Sequence, residues 1–280
     1  MFLKWAGGKS WLTKNHPQVF HSNESLNTTA FLNYPSIEYN RYIEPFLGGG
    51  AVFKYLKPKN TSLLSDINSD LIGFYNCLKQ NPNELYFYTQ EHMKRHCKDY
   101  YYETRANNGL VDSIQKAARF LYLNRTCYNG IYRVNSKNEF NVPIGDSKDF
   151  NVTKEEFIKY SQLLSNAEII NEDFRVSIKN ALKDDLIFVD PPYVTKTNQS
   201  SFDMYSANQF DWDAQVELSE ILQNKNKEGS HIILTNINDN DICELYDKNN
   251  GWKHRPIDRA NVMSYDSKGK KYKEIIISNI

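Results

Sequence analysis

The sequence has little that would mark a secreted, metal-binding or membrane protein. Its four cysteines (Cys77, Cys97, Cys127 and Cys243) lie far apart, with no Cys-x-x-Cys pair and no histidine spaced as a partner ligand. That pattern argues against a disulfide framework and a zinc site, and it fits reduced thiols in a cytoplasmic protein. No metal is expected. An excess of one charge is also missing, since Lys+Arg and Asp+Glu both number 34. Any electrostatic footprint for nucleic acid must therefore be local. No apolar stretch approaches the length of a bilayer span, and Met1 to Lys9 contains no leader-type apolar run, so no membrane partner is expected. Repeats and low-complexity tracts are absent as well.

What is present is organised around Leu186-Ile187-Phe188-Val189-Asp190-Pro191-Pro192-Tyr193. Four apolar residues predict a buried strand of a parallel sheet, and proline ends it because it lacks an N–H and has a fixed φ. Asp190 then stands at the carboxyl end of a strand, where open α/β sheets bind ligands. A carboxylate, carbonyls with no competing proline N–H groups, and the Tyr193 ring make a corner rich in acceptors and walled by an aromatic face. Such a corner suits a planar group carrying an NH2, such as a nucleobase. The alternative is a tight turn in an unrelated α/β protein.

Gly7-Gly8-Lys9-Ser10 resembles a phosphate-binding loop only superficially, because Leu3 stands where the earlier glycine is required and no strand precedes it. The turn could still wrap a ligand closely, with Lys4, Trp5 and Lys9 beside it, or it could be an ordered N-terminal loop. Tyr42 to Gly50, followed by Ala51 to Leu56, predicts strand, glycine turn and helix, the first unit of a doubly wound sheet. Ser62 to Ser65 predicts a second strand ending in Asp66, the position at which nucleoside-binding folds bond ribose hydroxyls.

From about Leu71 to Val152 the rhythm changes to helices, with Ile114, Ala117, Ala118, Leu121 and Tyr122 on one face. Between Lys94 and Lys137 there are nine Lys/Arg against three acids, an imbalance that marks a candidate phosphate-contacting face. Asn124 to Arg133 leads into Val134 to Pro143, which predicts a hairpin turning at Ser136-Lys137-Asn138. Arginine, asparagine and tyrosine presented together have the chemistry to read base edges and wedge a base step. A solvated basic surface over core aromatics is the plainer alternative.

The α/β pattern then resumes. Thr153 to Glu156 is a capping box, Glu168 to Ile170 a strand leading to Asp173-Phe174, and Asp213 to Gln223 a helix. His231 to Thr235, Asp241 to Asp247 and Glu274 to Ser278 predict a strand, a helix and a terminal strand. Thr195 to Gln209 is a polar loop.

With these motifs in order, the chain resembles the Dam-type DNA adenine-N6 methyltransferases of the DpnII and MboI kind, over nearly its whole length. The resemblance implies a doubly wound, Rossmann-like, mainly parallel α/β sheet of the class I methyltransferase type, formed by residues 1–70 and 153–280. It further implies that residues 71–152 are an inserted, mostly helical target-recognition domain carrying a β-hairpin. The implied cofactor is S-adenosylmethionine, held by Trp5, Ala6, Gly7, Lys9, Phe46, Gly48, Gly50, Asp66, Asp173, Phe174 and Asp190. Asp190, Pro191, Pro192 and Tyr193 match the catalytic tetrapeptide. Double-stranded DNA is the implied partner, met by Lys4, Arg125, Tyr128, Asn129, Ile131, Arg133, Asn141 and Pro143. Tyr128 would insert into the duplex and Arg133 would read a guanine, with GATC as the implied site. The Thr195 to Gln209 loop is expected to order as a lid. No obligatory protein partner is expected, whereas a cognate restriction endonuclease for the same site is compatible with the family. Two alternatives remain open: an amino-methyltransferase for another DNA sequence, cytosine N4 or RNA, and a catalytically silent DNA-binding protein of the same fold.

Overall fold

The computed structural model describes residues 2–20, 37–146, 151–196, 210–259 and 272–280. Residues 197–209, most of the expected lid, lie outside the described residues. In chain order the elements are α1 (Ser10–Asn15), β1 (Tyr42–Glu44), α2 (Ala51–Leu56), β2 (Ser62–Asp66), α3 (Ser69–Gln80), α4 (Pro82–Lys94) and α5 (Lys98–Ala106). They continue with α6 (Ser113–Thr126), α7 (Lys154–Leu163), β3 (Ala167–Asn171), α8 (Phe174–Lys179), β4 (Leu186–Val189) and α9 (Trp212–Lys227). β5 (His231–Ile237), α10 (Asn240–Leu245), β6 (Lys253–Arg259) and β7 (Tyr272–Ser278) complete the chain. The fold is α/β, with a mostly parallel sheet of order β3-β2-β1-β4-β5-β7-β6, consistent with a class I methyltransferase. No described helix is long and apolar enough to cross a membrane.

The chain divides into two compact units. The first takes Met1–Asn15 and Leu47–Glu172, and the second takes His16–Phe46, Asp173–Met204 and Asn208–Ile280. Within the first, β2 and β3 pair in parallel from Ser62 opposite Ala167 to Asp66 opposite Asn171, so the acidic tip lies beside the end of its neighbour. Helices α3, α4, α6 and α7 bury Leu71, Phe74, Leu78, Leu85, Ala118, Leu121 and Phe157. In α3, Leu71, Phe74 and Leu78 recur at three- and four-residue spacing along one buried face, whereas α6 buries the consecutive run from Phe120 to Asn124. The start of α7 is fixed by its capping box: Glu156 N–H donates to Thr153 Oγ1, and Thr153 N–H donates to the Glu156 carboxylate. A second cluster forms around Tyr101, Tyr122, Cys127, Phe140 and Val142. In the segment expected as a hairpin, Val134 bridges Phe140 antiparallel, with Asn135 N–H donating to the Glu139 carbonyl at 2.9 Å and Asn141 N–H to the Arg133 carbonyl at 3.1 Å; Cys127 bridges Ile144 farther out.

Within the second unit, β4 is buried along its whole length and stops at the prolines, as an apolar run without a continuing donor must. It lies between β1 and β5, with both pairings parallel. β7 runs antiparallel to β5, and β6 runs antiparallel to β7 at the sheet edge. Pro256 is tolerated in β6 because an edge strand has one side without ladder partners.

Candidate active site

The end of β4 carries Asp190, and the neighbouring strand supplies its partner. Val189 pairs with Leu234, so the next residues along, Asp190 and Thr235, come level. Thr235 Oγ1 donates to Asp190 Oδ1 at 2.8 Å. Pro191 is buried, Pro192 is half-buried, and Tyr193 folds so that its phenol donates to Glu274 Oε2 at 3.0 Å. Burial pushes the Tyr193 phenol well above its ordinary value, and the negative charges of Asp190 and Glu274 push it further. Tyr193 therefore stays neutral, a ring with a donor hydroxyl.

The same unit holds three phenylalanine rings together. Phe46 stacks on Phe174 at a centroid distance of 5.3 Å and 25°, and Phe210 stands edge-on to Phe46 at 5.7 Å. Arg175 lies over the Phe174 ring at 4.5 Å while its guanidinium pairs with Asp173 at 2.9 Å and Glu217 at 2.7 Å. Asp173 also caps α8 through the Arg175 N–H. The arrangement sets flat apolar surface beside a carboxylate, chemistry that could take a planar ring bearing an amine.

In the first unit, Asp66 ends β2 with Oδ2 accepting from Gly48 N–H and Oδ1 from Asn68 N–H, each at 3.0 Å. Desolvation raises its carboxyl above the usual aspartate value, against the lowering by the backbone N–H groups of Gly48, Asn68 and Ile67. Gly48 has φ +48°, and a Cβ there would come within 2.9 Å of the Trp5 ring, so only glycine allows the approach. Trp5 in turn stacks on Tyr132 at 5.8 Å and 23°. Lys9 is buried and its Nζ donates to the Gly7 carbonyl at 2.7 Å, closing the exposed Ala6-Gly7 turn. Gly50, with φ +61°, sits at the N-cap of α2.

A separate cluster in the first unit gathers the expected DNA contacts. Tyr128 is 41% exposed, its backbone N–H donating to the Pro143 carbonyl at 2.9 Å. Asn129 is exposed with φ +54°, and the Lys4 side chain packs against the following Gly130. Arg133 Nε donates to Asn141 Oδ1 at 2.7 Å on the exposed surface. Two expected contacts are less outward. Ile131 packs on the aromatic cluster, and Arg125 is part-buried with Nη1 3.5 Å from the Phe2 carbonyl.

Sequence reasoning missed Thr235, Glu274, Phe210, Arg175 and Asn124. Each belongs to an ordinary helix, strand or loop; Thr235, Glu274, Phe210 and Asn124 acquire a role through contacts distant in sequence, and Arg175 through its neighbours Asp173 and Phe174 together with the distant Glu217. Only the acid in the apolar run of β7 offered a signal.

Comparison with known proteins gives a consistent result. A family model described as D12 class N6 adenine-specific DNA methyltransferase matches residues 5–261. Type II methyltransferase M1.LlaDCHI of Lactococcus lactis subsp. cremoris is 34% identical, covering 99% of this chain and 94% of that protein. Type II methyltransferase M.MjaIII of Methanocaldococcus jannaschii is 36% identical, over 84% of this chain and 83% of its own. The DNA adenine methylase of Haemophilus influenzae is 32% identical, over 98% and 92%.

Proposed function

This chain belongs to the D12 class N6 adenine-specific DNA methyltransferase family, and we propose that it methylates a flipped-out adenine in duplex DNA at GATC, using S-adenosylmethionine. Residues 1–70 and 153–280 would carry cofactor and chemistry, and 71–152 would read the DNA. Double-stranded DNA is the partner proposed, with no obligatory protein partner and room in the family for a cognate restriction endonuclease, and the cytoplasm is the compartment.

The observation that most supports this reading is Asp190 at the end of a buried strand, oriented by Thr235 and followed by two prolines and a neutral tyrosine. The chain's residues also suit the proposed methyl donor. Both oxygens of Asp66 accept from backbone N–H groups, and a carboxylate has about four acceptor positions, which leaves capacity for ribose hydroxyls. Phe46 and Phe174 offer a stacked apolar surface for its adenine, and Asp173 an acceptor beside it.

When bound, S-adenosylmethionine supplies a methyl made electrophilic by a sulfonium. The chain must then make a poor nucleophile attack, because the adenine amine delocalises its lone pair into the ring. Asp190 and the Pro191 carbonyl would accept its two hydrogens and draw the nitrogen toward a pyramidal geometry. Pro191 and Pro192 bring no N–H to compete for those acceptors. Tyr193 would stack on the base. These are contributions of placement and preorganised charge, not of a strong base. The base must leave the helix to reach such a corner. Tyr128 would fill the gap, with Lys4, Asn129, Arg133, Asn141 and Pro143 at the DNA surface.

Methyl transfer from labelled cofactor to matched GATC and GTAC duplexes tests the proposal. Label as N6-methyladenine in the GATC duplex alone is expected. Label in both would remove the specificity, and cofactor binding with no label in either would remove GATC as the substrate.

A further inference from the structure

Two side chains behind the acceptor corner fall outside the tetrapeptide. Thr235 on β5 is 1% exposed and Glu274 on β7 is 5% exposed. Their strands are antiparallel neighbours, with Thr235 opposite Ile276 and Ile237 opposite Glu274. Residues directly opposite share a face, and so do residues two apart, so Thr235 and Glu274 are diagonal neighbours on one face of the sheet. Thr235 Oγ1 meets Asp190 Oδ1 at 2.8 Å, and Glu274 Oε2 meets the Tyr193 hydroxyl at 3.0 Å.

Folding alone does not explain an acid here. Glu274 precedes Ile275-Ile276-Ile277 in a buried strand, where an apolar residue packs without the cost of desolvating a carboxylate. Thr235 likewise lies among Ile232, Ile233 and Leu234. Both polar groups reach the tetrapeptide instead. A hydroxyl bonded to one oxygen of Asp190 limits rotation of the carboxylate about its last bond. A bond from the phenol to a strand side chain fixes where the Tyr193 ring stands.

We propose that Thr235 and Glu274 are positioning residues, setting the plane of the Asp190 carboxylate and the place of the Tyr193 ring before the base arrives. The inference rests on the tetrapeptide being the methyl-transfer corner. Neither residue takes a proton from the base or touches it.

The test compares Glu274→Ala, Glu274→Gln, Thr235→Val, Thr235→Ser and Tyr193→Phe in the full-length protein. Readouts are kcat, KM for DNA, cofactor Kd, melting temperature and the fluorescence of a duplex with 2-aminopurine at the target position. Glu274→Ala and Thr235→Val are expected to lower kcat by about ten- to a hundredfold, the scale of a displaced reacting geometry, with cofactor Kd unchanged. Glu274→Gln and Thr235→Ser, which keep the acceptor and the hydroxyl, should recover kcat to within about threefold of the parent. Tyr193→Phe combined with Glu274→Ala should cost no more than the Tyr193→Phe loss alone, because the loss of the phenol already removes its contact with Glu274 along with its contact with Thr235. The flipped 2-aminopurine should be brighter in Glu274→Ala, its stacking partner being loose.

A Glu274→Gln loss as large as that of Glu274→Ala would overturn positioning in favour of a role for the charge. Parental kcat in Glu274→Ala, or multiplicative losses in the double variant, would also overturn it. Should Glu274→Ala fail to fold, Tyr193→Phe with the 2-aminopurine readout carries the same decision: a dim, stacked base at parental kcat would overturn the proposal. Asp190→Ala, run alongside, separates the two levels. If it still transfers methyl, the corner itself is misassigned; if it is inactive while the other variants match the parent, only the positioning inference falls.

Discussion

Asn124 and Lys4 hold each other through two hydrogen bonds. The Lys4 backbone N–H donates to Asn124 Oδ1 at 2.9 Å, and Asn124 Nδ2 donates to the Lys4 carbonyl at 2.8 Å. Asn124 is 1% exposed, so a buried side-chain amide replaces the strand partner that this segment lacks. Lys4 lies on Gly130, just after the exposed Tyr128-Asn129 pair, and burial followed by the charge of Arg125 lowers its pKa.

Replacing Asn124 with alanine leaves two backbone groups of Lys4 without that partner, at a stability cost of about 1–3 kcal/mol. The expected functional effect is weaker discrimination between the target sequence and its single-base variants, with cofactor affinity unchanged. Competition methylation assays and calorimetry would read the two effects separately. Equal loss on every sequence would make the clamp purely structural.

Arg133→Ala should relax preference at one base pair, by about 1–3 kcal/mol of discrimination. Asn141 bonds Arg133 Nε at 2.7 Å, so Asn141→Ala should produce a smaller change at the same position. A loss uniform across sequences, with a shallower salt dependence, would make Arg133 a phosphate contact.

Asp66→Asn keeps the shape of the side chain and removes its charge. Hydrogen bonds to charged groups contribute about 1.5–3 kcal/mol, so cofactor Kd should rise about tenfold or more while DNA binding holds. Titration calorimetry with and without duplex measures both. An unchanged cofactor Kd would remove Asp66 from the ribose role.

His92 gives a pH dependence unrelated to catalysis. Burial, with Arg95 and Arg119 adding to it, lowers its pKa from 6.5 to about 4, and its ring stacks on Tyr122 at 5.1 Å. The folded pKa is depressed, so between pH 6.5 and 4 the unfolded chain binds a proton that the folded chain refuses. Stability from this residue is full above pH 6.5, falls on acidification, and changes no further below about 4. His92→Phe should therefore flatten the acid side of a melting-temperature profile. An equal offset from the parent at pH 7 and pH 5 would contradict it.

What the sequence revealed was local. The apolar run before Pro191, the glycine turn at Gly48 to Gly50 and the Thr153–Glu156 box each state their structure within a few residues. β6 was missed because Lys253 to Arg259 has no apolar alternation and contains Pro256; it forms by pairing with β7 at an edge. The segment expected as a hairpin makes a short antiparallel pairing of Val134 with Phe140, flanked by backbone bonds from Asn135 N–H to Glu139 and from Asn141 N–H to Arg133, and it is too brief to form strands of its own. Thr235 gave no signal, and Glu274 only that of an acid heading an apolar run, for another reason. Their partners lie 45 and 81 residues away, and no periodicity encodes such a meeting.

The most direct test of the catalytic assignment is methyl transfer by Asp190→Ala, measured together with its cofactor and duplex affinities. Loss of N6-methyladenine formation with both affinities near those of the parent is the predicted result. Substantial methyl transfer, or loss of activity only through loss of folding or DNA binding, would contradict it.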